Sequence, residues 1–273
     1  MAHQLAKGLR KTHLKAQVKI IPTQHAGHAE VLAYECSKQS DRPLILSSSG
    51  DGGYNEVING AMKAMSEGAH PITGLLPAGN ANDHYHNLHE RALEDMILSG
   101  KTHCIDLLHL TAHEPKPWQR YAHSYIGFGL TPQVGAELNK TDLNAFNELV
   151  IAAKAFYDLK AIKLLVRGEI KQYDSLIFSN VQKMSKVLSL SDNSAMHDGK
   201  FEITAFPHHT KLKLMITLFK AATKGLSVTK QSSKFAFQSL DKLAVQLDGE
   251  ISYIAAHTKV KIDIVPRVLN CVV

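Results

Sequence analysis

Ser49-Gly50-Asp51-Gly52-Gly53 directly follows Leu44 to Ser48, whose first three residues are the apolar run Leu-Ile-Leu, and Asn55-Glu56 and Asn59-Gly60 come soon after it. A buried strand that ends in a glycine cluster and opens a helix is typical of α/β folds. Glycine allows positive φ and a close approach of the backbone to a ligand, and a helix N-terminus attracts anions. The stretch therefore predicts a phosphate-binding turn, while a tight turn without a ligand remains the alternative for a single cluster.

A second loop of the same kind strengthens the phosphate-binding interpretation. The apolar run at residues 72–76 is followed by Pro77-Ala78-Gly79-Asn80-Ala81-Asn82-Asp83. Ligands of open α/β sheets bind at the carboxyl ends of parallel strands, so we expect both loops to converge on one crevice. Asp51 would repel a phosphate there unless a divalent cation or a hydrogen bond intervenes.

The order of the elements predicts two domains. Apolar strands alternate with helical periodicity up to about residue 97, beginning with a strand at residues 17–22, and this alternation favours a parallel sheet covered by helices. A helix is expected near residues 82–97. From about Cys104 onward the chain reads as short, partly alternating strands between turn residues, one of them at residues 121–126, interrupted by helices near 141–159 and 211–224. We expect an α/β domain over residues 1–104 and a C-terminal antiparallel sandwich or barrel over residues 105–273.

Composition restricts the class of protein further. The 273 residues are 44% hydrophobic and 21% charged, and no run approaches the ~20 apolar residues that span a bilayer. The N-terminus has no signal-peptide core, and three cysteines without metal-ligand spacing indicate a cytoplasmic protein. A net charge of +6 and a pI near 9.1 favour anionic partners, but no interleaved aromatic and basic motif points to nucleic acid. The sixteen histidines show no recognisable zinc spacing.

Two acidic segments are candidates for chemistry. Asp248-Gly249-Glu250 follows a strand, and such a turn would aim two carboxylates outward from one strand end, although Asp-Gly is also a common plain hairpin turn. Asp106 lies in an apolar run, where a solitary acid needs a partner or a metal unless it is an exposed strand residue. Neither a Ser-His-Asp order nor a P-loop lysine motif is present.

Four of these segments together resemble the diacylglycerol kinase catalytic superfamily, which includes bacterial lipid kinases and sphingosine kinases. Residues 49–60 resemble its GGDGT…NEVxNG signature, and residues 76–83 resemble its LPxGTxND motif. Residues 23–29 are similar to its T…GHA segment, and residues 248–250 are similar to its DGE motif. The matches keep their order over about residues 17–273.

The resemblance implies an α/β nucleotide-binding domain over residues 1–104, a C-terminal β-sandwich over residues 105–273 and an active site between them. It further implies an ATP- and Mg²⁺-dependent lipid kinase that acts on the hydroxyl of diacylglycerol or a related lipid at the inner membrane surface. At the nucleotide, it implies that Gly50, Gly52 and Gly53 surround the phosphates and that the remaining contacts come from Thr23, Glu56, Gly79, Asn80 and Asn82. It implies that Mg²⁺ is bound by Asp51, Asp83 and Asp106. The implied general base is Asp248, oriented near Glu250, and Asp51 also belongs to the catalytic network. The expected location is cytoplasmic and peripheral to the membrane, with a homodimer left open.

Three departures from the family pattern keep alternatives open. The chain begins about where the helix after the family's first strand is expected, so that strand and its Asn-Pro-x-x-Gly loop are expected to be missing. Gly53 and Asn80 stand where the motifs usually carry threonine, and the acid often found after the segment Gly127 to Gly129 is absent. A catalytically impaired nucleotide- or lipid-binding relative and an NAD kinase-like enzyme are the alternatives.

Overall fold

The computed structural model describes residues 2–12, 17–79, 82–88, 93–113, 117–133, 160–181, 183–184, 188–189, 196–208 and 230–272. The chain divides into two compact units. Unit 1 comprises Met1–Ile105 and Arg267–Val273, and unit 2 comprises Asp106–Pro266.

Five helices lie in the first hundred residues: α1 Ala2–Thr12, α2 His28–Ser37, α3 Asp51–Met65, α4 Asp83–Leu88 and α5 Leu93–Ser99. A further helical turn covers residues 130–133, directly after β5. None of them is long and apolar enough to cross a membrane. The strands are β1 Leu44–Ser49, β2 Ile72–Pro77, β3 Thr102–Ala112, β4 Trp118–Ala122, β5 Tyr125–Gly129, β6 Ile162–Val166, β7 Glu169–Ser179, β8 Lys183–Met184, β9 Leu188–Ser189, β10 Phe201–Pro207, β11 Lys230–Ser232, β12 Lys234–Ser239, β13 Leu243–Leu247, β14 Glu250–Ile254 and β15 Lys259–Val272.

Unit 1 contains a parallel sheet. Strands β1 and β2 pair in parallel with Leu44 opposite Ile72 and Ser49 opposite Pro77, and the end of β15 pairs in parallel with the other edge of β2. Strand β2 is buried at four consecutive positions, as expected for a central strand of a parallel sheet that is covered on both faces. The parallel α/β arrangement predicted for the N-terminal part is therefore present.

The helices of unit 1 pack at close range. Helix α3 buries nine of its fifteen residues, and it packs against α2, where Gly60 faces the main chain of Glu30 and the side chain of Ala33. Helix α1 lies near α5, and Ala2 and Leu5 pack with Met96 against an apolar cluster of unit 1. The absence of a side chain at Gly60 is what allows the two helix backbones to approach so closely.

Unit 2 consists of antiparallel strand pairs in its described part. Strand β7 is central, since it pairs with β6 and β5 along one edge and with β10 along the other. Strand β13 pairs with β5 along one edge and forms a hairpin with β14 along the other. Strand β12 pairs with β6 and with the first half of β15. The mixed α/β fold is thus established, while the grouping of these strands into a two-layer sandwich stays a prediction.

The core of unit 2 is aromatic. The ring of Phe128 contacts those of Phe178 and Phe237 edge to face, with ring centroids 6.1 and 5.4 Å apart. Phe178 in turn packs edge to face on Phe201 at 5.7 Å. Edge-to-face pairs of this kind are favourable beyond their buried area, and these link strands β5, β7, β10 and β12.

Three elements differ from the sequence-based expectations. Residues 17–22 form no strand, because a strand needs a hydrogen-bonded neighbour and no described strand pairs with this segment, so Ile20 and Ile21 remain exposed. The single strand expected over residues 121–126 is split into β4 and β5 by a bend at His123-Ser124. The helix expected over 82–97 appears as α4 and α5 in its described parts, whereas the helices expected at 141–159 and 211–224 lie outside the described residues.

The last strand also departs from the expected domain division, which assigned residues 105–273 to one domain. Strand β15 begins in unit 2, where Lys259 to Asp263 pair with β12, and ends in unit 1, where Asn270 and Cys271 pair with β2. The C-terminal residues therefore complete the parallel sheet of unit 1.

We predict that Gly60→Ala destabilises the protein. A Cβ atom at position 60 would overlap the main-chain oxygen of Glu30, and overpacking of this kind costs about 1–3 kcal/mol. Intrinsic helix propensity alone predicts the opposite sign, a gain of about 1 kcal/mol. Urea unfolding followed by circular dichroism separates the two, and a stabilised variant would show that α2 and α3 do not pack as described.

Candidate functional site

The two glycine loops predicted from the sequence meet in unit 1. Strands β1 and β2 end side by side, and the N–H of Ala78 donates a hydrogen bond of 2.9 Å to the carbonyl oxygen of Ser49. A Cβ atom at Gly50 would lie 3.1 Å from the Cα of Gly79, and one at Gly79 would overlap the Cα of Gly50. The expectation that both loops converge at one edge of the sheet is confirmed.

Helix α3 begins at this contact. Its N-cap is Gly50, which has extended backbone angles (φ −86°, ψ −173°) and offers no side-chain cap to the first turn. Main-chain N–H groups at the start of a helix have no partner within the helix, and the helix dipole is positive at that end. The first turn, which includes Gly52 and Gly53, is therefore a suitable place for a phosphate.

The absence of threonine at position 53 has a structural reason. A Cβ atom at Gly53 would lie 2.7 Å from the Cβ of Ser49 and 2.8 Å from its Oγ. The Ser49 hydroxyl is itself held by hydrogen bonds, donating to the carbonyl of Gly50 at 2.9 Å and accepting from the Ser47 hydroxyl at 2.7 Å. The side chain of Ser49 thus occupies the space that a larger residue at position 53 would need.

The carboxylate of Asp51 connects the first loop to the helix after the second loop. Asp51 is the first residue of α3, and its Oδ1 accepts a hydrogen bond of 3.1 Å from the main-chain N–H of His84 in α4. An acid in the first turn of a helix also interacts favourably with the helix dipole. These contacts provide the hydrogen bond that an acid in a phosphate-binding turn was expected to need.

Asn82 closes the second loop on itself. Its backbone lies in the left-handed region (φ 52°), where asparagine is better tolerated than most residues. Its Oδ1 accepts from the N–H of Gly79 at 3.0 Å, and its Nδ2 donates to the carbonyl of Gly79 at 2.8 Å. Asn80 lies outside the described residues, and Asp83 begins α4 with a side chain that also lies outside them.

Glu56 has a similar role at a third loop. Its Oε1 accepts from the N–H of Gly27 at 2.7 Å, and its Oε2 accepts from the N–H of Ala29 at 3.1 Å. Gly27, the N-cap of α2, has φ 82° and provides no side-chain cap, so Glu56 supplies that cap from α3. It thereby holds the end of the segment that contains Thr23, whose side chain is exposed.

In unit 2 the two acids of the Asp248-Gly249-Glu250 segment have different environments. Asp248 and Gly249 form the turn of the β13–β14 hairpin, with φ of 49° and 102°. The side chain of Asp248 is fully buried, whereas Glu250 is exposed. The expectation that both carboxylates point outward is therefore wrong for Asp248, and the hairpin interpretation of Asp-Gly describes this turn.

The buried carboxylate of Asp248 binds the bend between β4 and β5. Its Oδ2 accepts from the N–H of His123 at 2.7 Å, and its Oδ1 accepts from the N–H groups of Ser124 and Tyr125, each at 2.9 Å. The imidazole Nε2 of the buried His123 lies 3.3 Å from the same carboxylate. These donors explain why the strand expected over 121–126 bends: its main-chain N–H groups turn towards an acid.

Asp106 is held in the same way. Its side chain is fully buried, which excludes the interpretation as an exposed strand residue, and its Oδ2 accepts from the N–H of Gly199 at 2.6 Å. Asn180 links the two acidic sites, since its Nδ2 donates to the carbonyls of Asp106 at 2.9 Å and His123 at 3.3 Å. Sequence reasoning missed Asn180 and His123, because neither stands in a motif and their partners are distant in the chain.

Two further features of the described residues concern metal ligands and a buried thiol. In the described ranges no group of three or more His, Cys, Asp or Glu side chains is placed to hold a metal ion. Burial raises the pKa of Cys271 to about 11, so this thiol stays protonated next to Tyr54 and Thr73 at neutral pH. A buried, protonated thiol of this kind is unreactive and serves packing.

Comparison with known proteins agrees with the motifs. Residues 1–110 match the family model of the diacylglycerol kinase catalytic domain. The chain is 24% identical over 265 residues to a Cronobacter sakazakii protein named "Probable lipid kinase YegS-like", covering 93% of this chain and 85% of that protein. It is 24% identical over 259 residues to a diacylglycerol kinase of Staphylococcus aureus, covering 85% of this chain and 79% of that protein.

The fold is also shared with solved structures. The crystal structure of a diacylglycerol kinase from Bacillus anthracis matches with a TM-score of 0.69 at 14% identity, and the match covers 99% of this chain and 91% of that one. At this level of identity the likeness establishes the fold.

We predict that Asp248→Asn destabilises the protein. The amide group would present donors to main-chain N–H groups that now bind a carboxylate, and breaking a buried charged network of this kind costs about 3 kcal/mol. Glu250→Gln, at the exposed acid of the same hairpin, is the matched control and should change stability by less than about 0.5 kcal/mol. Urea unfolding measures both, and equal stability of the two variants would contradict the anchoring role of Asp248.

Proposed function

We propose that this chain, whose residues 1–110 match the diacylglycerol kinase catalytic domain, is a lipid kinase that uses ATP and Mg²⁺ to phosphorylate a lipid hydroxyl, that of diacylglycerol or a related long-chain alcohol. The observation that carries this proposal is the direct contact of the two glycine loops at the N-terminus of α3. Phosphoryl transfer depends mainly on positioning and on stabilising charge at the phosphates, and such a rigid turn can supply both.

The nucleotide phosphates bind at the first turn of α3 in this proposal. Gly50, Gly52 and Gly53 offer main-chain N–H groups and no side chains that would obstruct a phosphate. Glu56, Asn82 and Gly79 act through the loops, because the two side chains already bind the main chain of the loop segments. Thr23 and Asn80 complete the proposed set as nucleotide contacts.

Magnesium binding in this proposal relies on few protein ligands. Mg²⁺ usually keeps several waters and is held by one or two carboxylates together with substrate phosphates. A chain whose described residues contain no cluster of three ligands is compatible with that mode of binding. Asp51 and Asp83 are the proposed acids of unit 1, and Asp106 keeps the metal-linked role implied by the family as a prediction.

The Asp248–Glu250 hairpin supplies the proposed general base. Asp248 is the residue indicated by the DGE motif. To take the proton of the lipid hydroxyl, its carboxylate would have to release one of its main-chain N–H donors and bind that hydroxyl instead. Glu250 is already exposed two residues further on. Asp248 is therefore proposed as the base and Glu250 as the acid that orients it, and the two variants separate these roles.

The proposed setting is the cytoplasmic surface of a membrane. A lipid acceptor requires contact with a bilayer, and an excess of six positive charges favours an anionic surface. Since none of the described helices spans a membrane, peripheral association is the mode that we propose.

We predict Mg²⁺-dependent transfer of the γ-phosphoryl group from ATP to a lipid in an extract that contains diacylglycerol. Asp51→Ala should abolish detectable transfer, and Asp248→Asn should lower the rate by roughly 10²–10⁴-fold, the usual contribution of a general base. Thin-layer chromatography of labelled products measures the transfer. Asp95→Asn and Glu169→Gln, at exposed acids of units 1 and 2, are the controls and should retain full activity.

The following assay results would contradict the proposal. Nucleotide binding without turnover across a broad lipid panel would favour a catalytically impaired relative, and phosphorylation of NAD would favour an NAD kinase-like enzyme. A loss of activity in Asp248→Asn is assigned to chemistry only if the variant remains folded at the assay temperature. If Glu250→Gln loses as much activity while staying fully stable, the exposed acid rather than Asp248 is the base.

A further inference from the structure

Unit 2 contains a cavity of about 590 Å³ whose described lining includes Lys160, Lys163 and Lys242. We call it the lysine cavity. Its volume lies within the range of about 300–1,000 Å³ that is usual for small-molecule sites. None of the three lysines forms an ion pair with a carboxylate among the described residues.

The lysine cavity lies away from the acids that the proposed function uses. It is lined by the beginnings of β6 and β13 and by Tyr253 near the end of β14. The Asp248-Gly249 turn stands at the opposite end of the β13–β14 hairpin, five residues from Leu243. At about 3.4 Å per residue this separation is roughly 17 Å, so the two ends of the hairpin cannot serve one small reacting group.

The positive charge of the lysine cavity favours an anionic ligand. Three lysines face one acid, Asp241, which leaves a formal excess of two positive charges in the described lining. All three lysine side chains are exposed, so their ammonium groups keep enough freedom to gather around a ligand. Lysine is a frequent phosphate ligand that acts as a point charge with three donors.

The walls of the cavity are apolar. The lining includes the buried Leu243, and Ile162 adds a second aliphatic surface. Tyr253 is 61% exposed, and the Nζ of Lys242 lies 4.7 Å from the centroid of its ring. This cation–π contact holds an ammonium group at the boundary between the charged rim and the apolar wall.

From this combination we propose that the lysine cavity binds an anionic amphiphile, a phosphate-type head group attached to an aliphatic chain. The ammonium groups would bind the head, and the side chains of Leu243, Ile162 and Tyr253 would cover the first part of the chain. The ligand can come from two sources, a dissolved amphiphile or a phospholipid in a membrane. The inference rests on the cavity alone and holds whether or not the protein is a kinase.

The test uses the full chain and decyl phosphate below its micelle concentration, with binding measured by titration calorimetry. Replacing Lys160, Lys163 and Lys242 together by alanine should weaken binding roughly tenfold or more, because several charge-assisted contacts are lost. The control replaces Lys171, Lys230 and Lys234, three exposed lysines outside the described lining, and should leave the affinity unchanged. Tyr253→Ala should weaken binding of decyl phosphate but not of inorganic phosphate.

Two results would overturn the inference. One is equal affinity of the cavity variant and the wild type for decyl phosphate, or no binding by either. The other is equally tight binding of decyltrimethylammonium, since a cationic head group should be repelled. Thermal unfolding of all variants verifies that a loss of binding does not reflect a loss of fold.

Vesicles distinguish the two sources of the ligand. Co-sedimentation with phosphatidylcholine vesicles is compared in the presence and absence of phosphatidylglycerol. If the cavity variant loses phosphatidylglycerol-dependent sedimentation while the lysine control retains it, the cavity engages head groups in a membrane. If both sediment like the wild type but only the cavity variant loses decyl phosphate, the ligand is a dissolved amphiphile.

Discussion

The main chains at Gly50 and Gly79 approach each other so closely that a Cβ atom at Gly79 would overlap the Cα of Gly50, and one at Gly50 would lie 3.1 Å from the Cα of Gly79. This contact fixes where β1 and β2 end, where α3 begins and which way its first turn faces. The hydrogen bond from Ala78 to Ser49 and the parallel register of the two strands maintain it. A site built on such a contact is shaped by backbone geometry, so most of the surrounding side chains serve to support it.

Four acidic residues support the loops by hydrogen bonding, in addition to the chemical roles that the family resemblance implies for them. Asp51, Glu56, Asp106 and Asp248 each accept hydrogen bonds from main-chain N–H groups of segments that are distant in the chain. An ionised carboxylate can accept several such bonds, and each is stronger than a bond between neutral groups. The same acids are therefore candidates for chemistry and also determinants of loop structure, and a loss of activity on mutation has two physical causes to be separated.

Much of unit 1 could be predicted from local sequence. Helices α2 and α3 and strands β1 and β2 follow from apolar periodicity and from the glycines that end each strand, and the convergence of the loops follows from the parallel sheet. Residues 17–22 show the limit of this reasoning, because β-branched residues indicate a strand but only a neighbouring strand can make one. The bend at His123-Ser124 and the inward turn of Asp248 could not be predicted either, since each depends on a partner more than a hundred residues away.

Because strand β15 begins in unit 2 and ends in unit 1, the parallel sheet of unit 1 is completed late during synthesis. The parallel sheet of unit 1 includes Asn270 and Cys271, while strands β1 and β2 belong to the first eighty residues. During synthesis on the ribosome, the N-terminal α/β segment therefore emerges long before the strand that covers the edge of β2. Until residues 270 and 271 have been synthesised, that edge has exposed main-chain hydrogen-bonding groups, which can pair with strands of other chains.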